Sequence, residues 1–294
     1  MKYVYLLAVL CLSLLVGGSA FAASGHYTLG VEGIKVASLP PEGFHWRMYN
    51  VLYTADRMND KSGNETGDFK ASVYALANRF VYMSDIKILG ANLGMDVVVP
   101  LVYTNISMNP VFDENRFGLG DISMDPILLS WHGERWDGAL ALGGYFPTGE
   151  YDRNKPASPG KGFWTGMASL GGTIYLDEEK SWSVSALARY QVHSERRDSN
   201  GFAPGDHFHV EWGIGKRFLD IFEVGIAGYN LWQVAPDRGR GATNDREQIN
   251  GIGPEISVAI PAWQTHISLR SLWEYDNRNA SQGNTTVLTI TKSF

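Results

Sequence analysis

Between positions 207 and 218 the chain reads HFHVEWGIGKRF, with Phe208, Val210, Trp212, Ile214 and Phe218 on one parity and His207, His209, Glu211 and Arg217 on the other. A two-residue period marks a β-strand with one apolar and one polar face. The same period recurs in segments of about ten residues, the length that carries a tilted strand across a bilayer. They fall at 44–55, 69–82, 91–103, 119–131, 137–147, 164–176, 182–193, 207–218, 222–233, 249–260, 265–275 and 284–294. Alternation is clean at 182–193, where Trp182, Val184, Ala186, Ala188, Tyr190 and Val192 share a face, and weak at 44–55 and 119–131. Taken singly, such ribbons suit a soluble sandwich as well as a membrane barrel.

The connections separate the two. Long polar stretches (TGEYDRNKPASPGKGF, SERRDSNGFAPGD, VAPDRGRGATNDREQ) follow odd-numbered segments, and short ones (HGERW, DEEKS, LDI, PAWQ) follow even-numbered segments. An up-and-down outer-membrane barrel has this asymmetry, with long outer loops, short periplasmic turns and an even strand count; a sandwich with crossover connections has no such rule. Aromatic residues gather at segment ends, as interfacial girdles do. Trp131, Trp136, Trp182, Phe218, Phe222 and Trp263 stand beside short turns, and Tyr103, Tyr145, Trp164, Tyr190, Phe208, Trp232, Trp273 and Tyr275 beside long loops. The chain ends with Leu288, Ile290 and Phe294 on one face. Pro100, Pro126 and Pro254 lie inside segments where each removes a ladder donor, so bulges or displaced strand limits are expected there.

Composition narrows the class. A net charge of -6 offers no basic footprint for nucleic acid, and 44% hydrophobic residues exclude disorder. Lys2 precedes the apolar run YVYLLAVLCLSLLV, and Ala20 and Ala22 sit at the small positions of a cleavage site. Residues 1–22 therefore read as a secretory signal peptide, residues 23–42 as a periplasmic or lumen-plugging segment, and residues 43–294 as the barrel. Cys11 is the single cysteine and falls within the leader, so the processed chain is predicted to carry neither disulfide nor cysteine-bound metal. Irregular SGHYTLGVEGIKVASLPPEG is read either as a frayed end or as a segment tucked into the lumen, with Tyr27, Ile34 and Val36 lining a greasy route.

The opening GHYTLGVEGIKVASLPPEGFHWRMYNVLYTADRMND, the stretch FGLGDISMDPILLSW and the stretch GGYFPTGEYDRN resemble the outer-membrane barrel family associated with the meta-pathway of phenol degradation. The resemblance implies a barrel that passes small hydrophobic, often aromatic, compounds. In these motifs Gly118, Gly120 and Asp121 are read as a loop exit with a turn hydrogen bond, and Pro147, Gly149 and Tyr151 as the start of an outer loop long enough to fold inward.

The inward parities carry the candidate chemistry. Pairing adjacent segments through their turns sets Arg189 opposite Glu211, Arg217 opposite Glu223 and Glu255 opposite Arg270, three opposite-sign pairs in a polar lumen. His207, His209 and Glu211 alternate along one face, a spacing that admits a metal. With no partner cluster elsewhere they read as a lumen-facing stripe, and no metal or cofactor is predicted. Ser199, Asn200 and Gly201 resemble the nucleophile stretch of outer-membrane phospholipases, but Arg197 holds the place of the base and cannot accept a proton. The expectation is a Gram-negative outer-membrane barrel of about twelve strands, embedded in lipid, binding no nucleic acid, and acting as a passive channel for small hydrophobic or aromatic solutes. A structural or adhesive barrel is the alternative, with a lipid hydrolase behind it. The bare inward positions Gly213 and Gly215 are expected to leave room for passage.

Overall fold

Alternation of apolar and polar side chains becomes the two sides of one wall. In the computed structural model, which describes residues 24–294, the strands are β1 (Gly43–Met58), β2 (Asp68–Ile88), β3 (Ala91–Asn109), β4 (Phe112–Leu119), β5 (Ile122–His132), β6 (Trp136–Phe146) and β7 (Thr165–Tyr175). They continue as β8 (Trp182–His193), β9 (His207–Phe218), β10 (Phe222–Gln233), β11 (Gln248–Ile260), β12 (Thr265–Glu274) and β13 (Ser281–Ser293). Each pairs antiparallel with its neighbours, β13 returns to β1, and β3 takes both β4 and β5 along its other edge. Thirteen strands thus fill the twelve staves of a closed barrel. Closure pairs the backbone of the twelve staves with one another, and only β4, which pairs with β3 alone among these strands, has an edge toward the loop end. No helix among the described residues is long and apolar enough to cross a membrane; the wall crosses with strands. The proposed leader, residues 1–22, lies outside the described residues.

On β8 the inward Ser183, Ser185, Leu187, Arg189, Gln191 and His193 are buried, while the outward Trp182, Val184, Tyr190 and Val192 are exposed. Trp136, Phe218, Phe222 and Trp263 stand exposed at the turn ends, and Trp164, Trp232, Trp273 and Tyr275 at the loop ends. Tyr145, assigned by its position to the outer girdle, instead faces inward and stacks on His26 with ring centroids 5.0 Å apart. Its position along the chain sets its height on the wall but not the face it takes.

The proline-bearing segments resolve differently. Around Pro126 the β5–β6 register shifts between Met124 and Ile127, a bulge that turns both Asp125 and Leu128 inward. Pro100 sits where β4 gives way to β5, and its carbonyl accepts the Gly120 N–H at 3.0 Å. Pro254 causes no bulge; it pairs with Ile226 on β10, and the β11–β12 register is unshifted across it. The segment expected to be loop before 119 is instead β4, paired with the outer end of β3, and β2 and β3 run to 21 and 19 residues. Polar composition at 104–118 hid this extension, because strands beyond the bilayer have no oily face to alternate.

Residues 24–42 run down the lumen. Ser24 N–H bonds both Glu247 carboxylate oxygens at the loop end (2.9 and 3.0 Å), and the Ser38 hydroxyl donates to Asp137 (2.7 Å) near the turn end. The chain then turns into β1, held by His45 at 2.9 Å from the Pro41 carbonyl. The room expected from bare wall glycines is taken by this segment. A Cβ on Gly213 would lie 2.9 Å from Ile34 Cα, and one on Gly215 would lie 2.5 Å from Ile34 Cγ2. Their missing side chains make a bay for backbone rather than an open passage. Gly213→Leu is therefore expected to release residues 24–42 while leaving the barrel closed. Limited proteolysis should cut the variant, but not the parent, within this segment, with heat-modifiable gel mobility retained.

Candidate functional site

Residues 24–42 lean on one half of the wall and are fastened there by buried charge. Glu211 on β9 accepts from the Tyr27 hydroxyl (2.6 Å), the Gly30 N–H (2.8 Å) and Arg189 Nη1 (2.5 Å). Glu255 on β11 accepts the Ile34 N–H (2.8 Å) and pairs with Arg270 (3.3 Å), which itself donates to the Val31 carbonyl (2.5 Å). Lys35 reaches Glu223 at 2.8 Å. Wall carboxylates and guanidiniums thus satisfy the polar backbone of a segment that has no ladder of its own, as burial demands. Between them Tyr27 and Leu29 pack on Tyr229, Leu231, Ile249 and Leu272, and Val36 packs on Leu187.

The sequence-derived pairs stand as follows. Arg189 lies opposite His209, not Glu211, because the β8–β9 register is displaced by two residues, Gln191 rather than His193 standing opposite His207; the long guanidinium still spans the diagonal to Glu211. Arg217 is opposite Glu223, but the two do not join: Arg217 pairs with Asp220 at 3.7 Å, while Glu223 takes Lys35. Glu255 and Arg270 are opposite and paired. His207 contacts His193 (2.9 Å), Glu247 (3.3 Å) and Ser24 (3.3 Å), whereas His209 stacks on the Tyr27 ring, centroids 4.6 Å apart. Among the described residues no group of three His, Cys, Asp or Glu is arranged to hold a metal.

The segment and the wall bound a cavity of about 320 Å³, lined mostly by β1, β2, β3, β5 and β6 and reaching Met167, Arg189, Glu255 and Arg270 on the fastened side. Toward the loop ends it is lined by Val51, Tyr53, Val73, Ala75, Pro100 and Val102, and toward the turn ends by Val81, Leu128, Ala139 and Ala141. A charged belt interrupts the apolar lining. Arg47 and Arg79 are directly opposite on β1 and β2, an unfavourable juxtaposition of like charges, and Glu32 from the segment bridges them at 2.9 and 3.0 Å. Tyr49 adds a hydroxyl to Glu32 (3.0 Å), and Arg79 Nε also bonds Asp96 at 2.8 Å. Sequence reasoning passed over Glu32, Arg47, Arg79 and Asp96. The signal available was the pairing of Arg47 with Arg79, which calls for an anion from outside the two strands.

At the loop end the outer loop 147–164 folds inward. Asp121 accepts the Gly149 N–H (2.9 Å), the Lys161 N–H (2.7 Å) and a bond with His26 (2.9 Å), so it pins loop and segment together rather than serving one turn. Gly149 packs so closely on Gly120 and Gly160 that a Cβ would lie 2.7 Å from the Gly120 carbonyl carbon. Lys161 Nζ is held by the Gly25 and Ser24 carbonyls. Burial pulls this ammonium from its ordinary 10.5 to about 7.

Glu32→Ala leaves Arg47 and Arg79 facing each other without their shared anion, and is expected to weaken docking of the segment by about 3 kcal/mol, measured as a lower unfolding midpoint in detergent. Because the folded pKa of Lys161 lies below its unfolded value, the unfolded chain binds more protons between the two, and stability rises with pH across that window. The midpoint should climb between about pH 7 and about pH 9 in the parent and climb less in Lys161→Met, read by heat-modifiable mobility.

A family model described as "Putative MetA-pathway of phenol degradation" matches residues 55–290. An outer membrane channel of Pseudomonas putida F1 superposes with a TM-score of 0.79 at 14% identity, over 92% of this chain and 100% of that one. The beta domain of the Bordetella autotransporter BrkA superposes with a TM-score of 0.53 at 11% identity, over 86% of this chain and 100% of that one. No curated protein sequence matches the chain.

Proposed function

Because the chain belongs to the family associated with the MetA pathway of phenol degradation, we propose that it is an outer-membrane channel for passive uptake of small hydrophobic or aromatic solutes. The observation that carries this reading is the cavity of about 320 Å³ between residues 24–42 and the β1–β6 wall. An apolar cavity of roughly 150 Å³ is enough to take up benzene, so this one has room for a monocyclic aromatic with a small substituent. Its apolar ends favour such solutes over hydrated ions, and its belt charges are largely paired within the protein, giving little net ion preference. The P. putida barrel is itself described as an outer membrane channel, which supports the placement in the outer membrane. Residues 24–42 act in this reading as a plug that narrows the lumen to a duct.

The hydrolase alternative has little to stand on. Ser199 donates its hydroxyl to the Arg196 and Phe202 carbonyls (2.5 and 3.1 Å) within its loop, and the adjacent Arg197 reaches the Pro147 carbonyl. That is a loop brace, not a nucleophile beside a base. Deletion of residues 24–40 is expected to raise single-channel conductance several-fold in planar bilayers and to erase any preference between aromatic and polar solutes in liposome flux. Unchanged conductance would return the barrel to a structural or adhesive role.

A further inference from the structure

Among the described residues, the carboxylates, guanidiniums and ammoniums that line the cavity are engaged, with one exception. Arg47 and Arg79 are taken by Glu32 and Asp96, Arg189 by Glu211, and Arg270 by Glu255. Asp125 lines the same cavity, is only 9% exposed, and enters no ion pair among the described residues; its Oδ1 is buried against Gly143 without a partner, and its Oδ2, the oxygen not sealed off, takes no hydrogen bond from the described residues either. A buried carboxylate without a donor is costly. The wall nevertheless goes out of its way to present it. The bulge ahead of Ile127 turns Asp125 inward, and Gly143 on β6 gives it space, since a Cβ there would lie 2.2 Å from Oδ1. Ser123 stands two residues away on the same face, and the cavity nearby is walled by Val98, Ala141, Tyr145 and Met167.

We propose that Asp125 is the specificity-determining residue of the duct, accepting a hydrogen bond from a neutral aromatic solute that carries an O–H or N–H donor. This rests on the channel reading above. The hydroxyl or amine of a phenol or aniline supplies the missing donor, while the ring lies among Tyr145, Met167 and the aliphatic wall, where sulfur and aromatic faces suit it. A plain hydrocarbon fits the same walls but leaves the carboxylate without a partner. A benzoate brings a second anion beside Asp125 and Asp96, its register neighbour across the wall, and is repelled. The site thus reads the donor rather than the ring.

Fluorine NMR of detergent-solubilised protein against empty micelles tests this with 4-fluorophenol, 4-fluorotoluene and 4-fluorobenzoate as probes. The parent should bind 4-fluorophenol saturably and ignore 4-fluorobenzoate. Asp125→Leu should weaken 4-fluorophenol about tenfold, the value of one charge-assisted hydrogen bond, while 4-fluorotoluene changes less than about twofold. Asp125→Asn, nearly isosteric and keeping an acceptor, should fall between them and decides the matter if the leucine variant does not fold. Equal loss of phenol and toluene binding, unchanged phenol binding, or binding of neither probe by the parent overturns the assignment. Saturable, Asp125-dependent binding without solute flux would instead leave the site standing and overturn the channel reading.

Discussion

Hydrocarbon accepts no backbone hydrogen bonds, and this constraint shapes the whole molecule. A wall facing lipid must pair every N–H and C=O within itself, which only a closed sheet achieves. Twelve staves close around a lumen wide enough that side chains alone do not fill it, and residues 24–42 of the same chain pack into it. That segment has no ladder, so its N–H and C=O groups need partners from the wall. Glu211, Glu255 and Arg270 supply them, and this is why strands with oily backs carry so much buried charge on their inner faces.

Filling is uneven, and the cavity follows from the unevenness. Glycines at 213 and 215 let the segment lie against β9, while small and branched side chains on β1 to β6 stop short of it on the other side. What remains is a cavity with greasy ends and a charged waist. The waist is held by Glu32, which belongs to the segment yet is bound by Arg47 and Arg79 of the wall. Position of the segment and shape of the cavity are therefore one property, and a change at the waist alters both. The inward loop joins them too, because Asp121 gathers the outer loop 147–164 and His26 in one network.

The amino-acid sequence by itself determined the barrel. Period-two alternation, the long and short connections and the aromatic ends are local features, and local features survive translation into strands because each strand is stabilised by faces that its own residues specify. Inward parity placed His207, His209, Glu211, Glu255 and Arg270 on the buried side. Register was legible across the tight 219–221 and 261–264 turns, and was off by two across 194–206, where loop length does not set the closing geometry. Only the tertiary structure decided what the lumen contains. Residues 24–42 have no period to announce where they go, and the meeting of Glu32 with Arg47 and Arg79, of Ile34 with bare glycines, and of Asp125 with an open cavity depends on strands far apart in the chain. The reason is physical: a strand's faces are written in consecutive residues, whereas the space between opposite walls exists only after the sheet has closed.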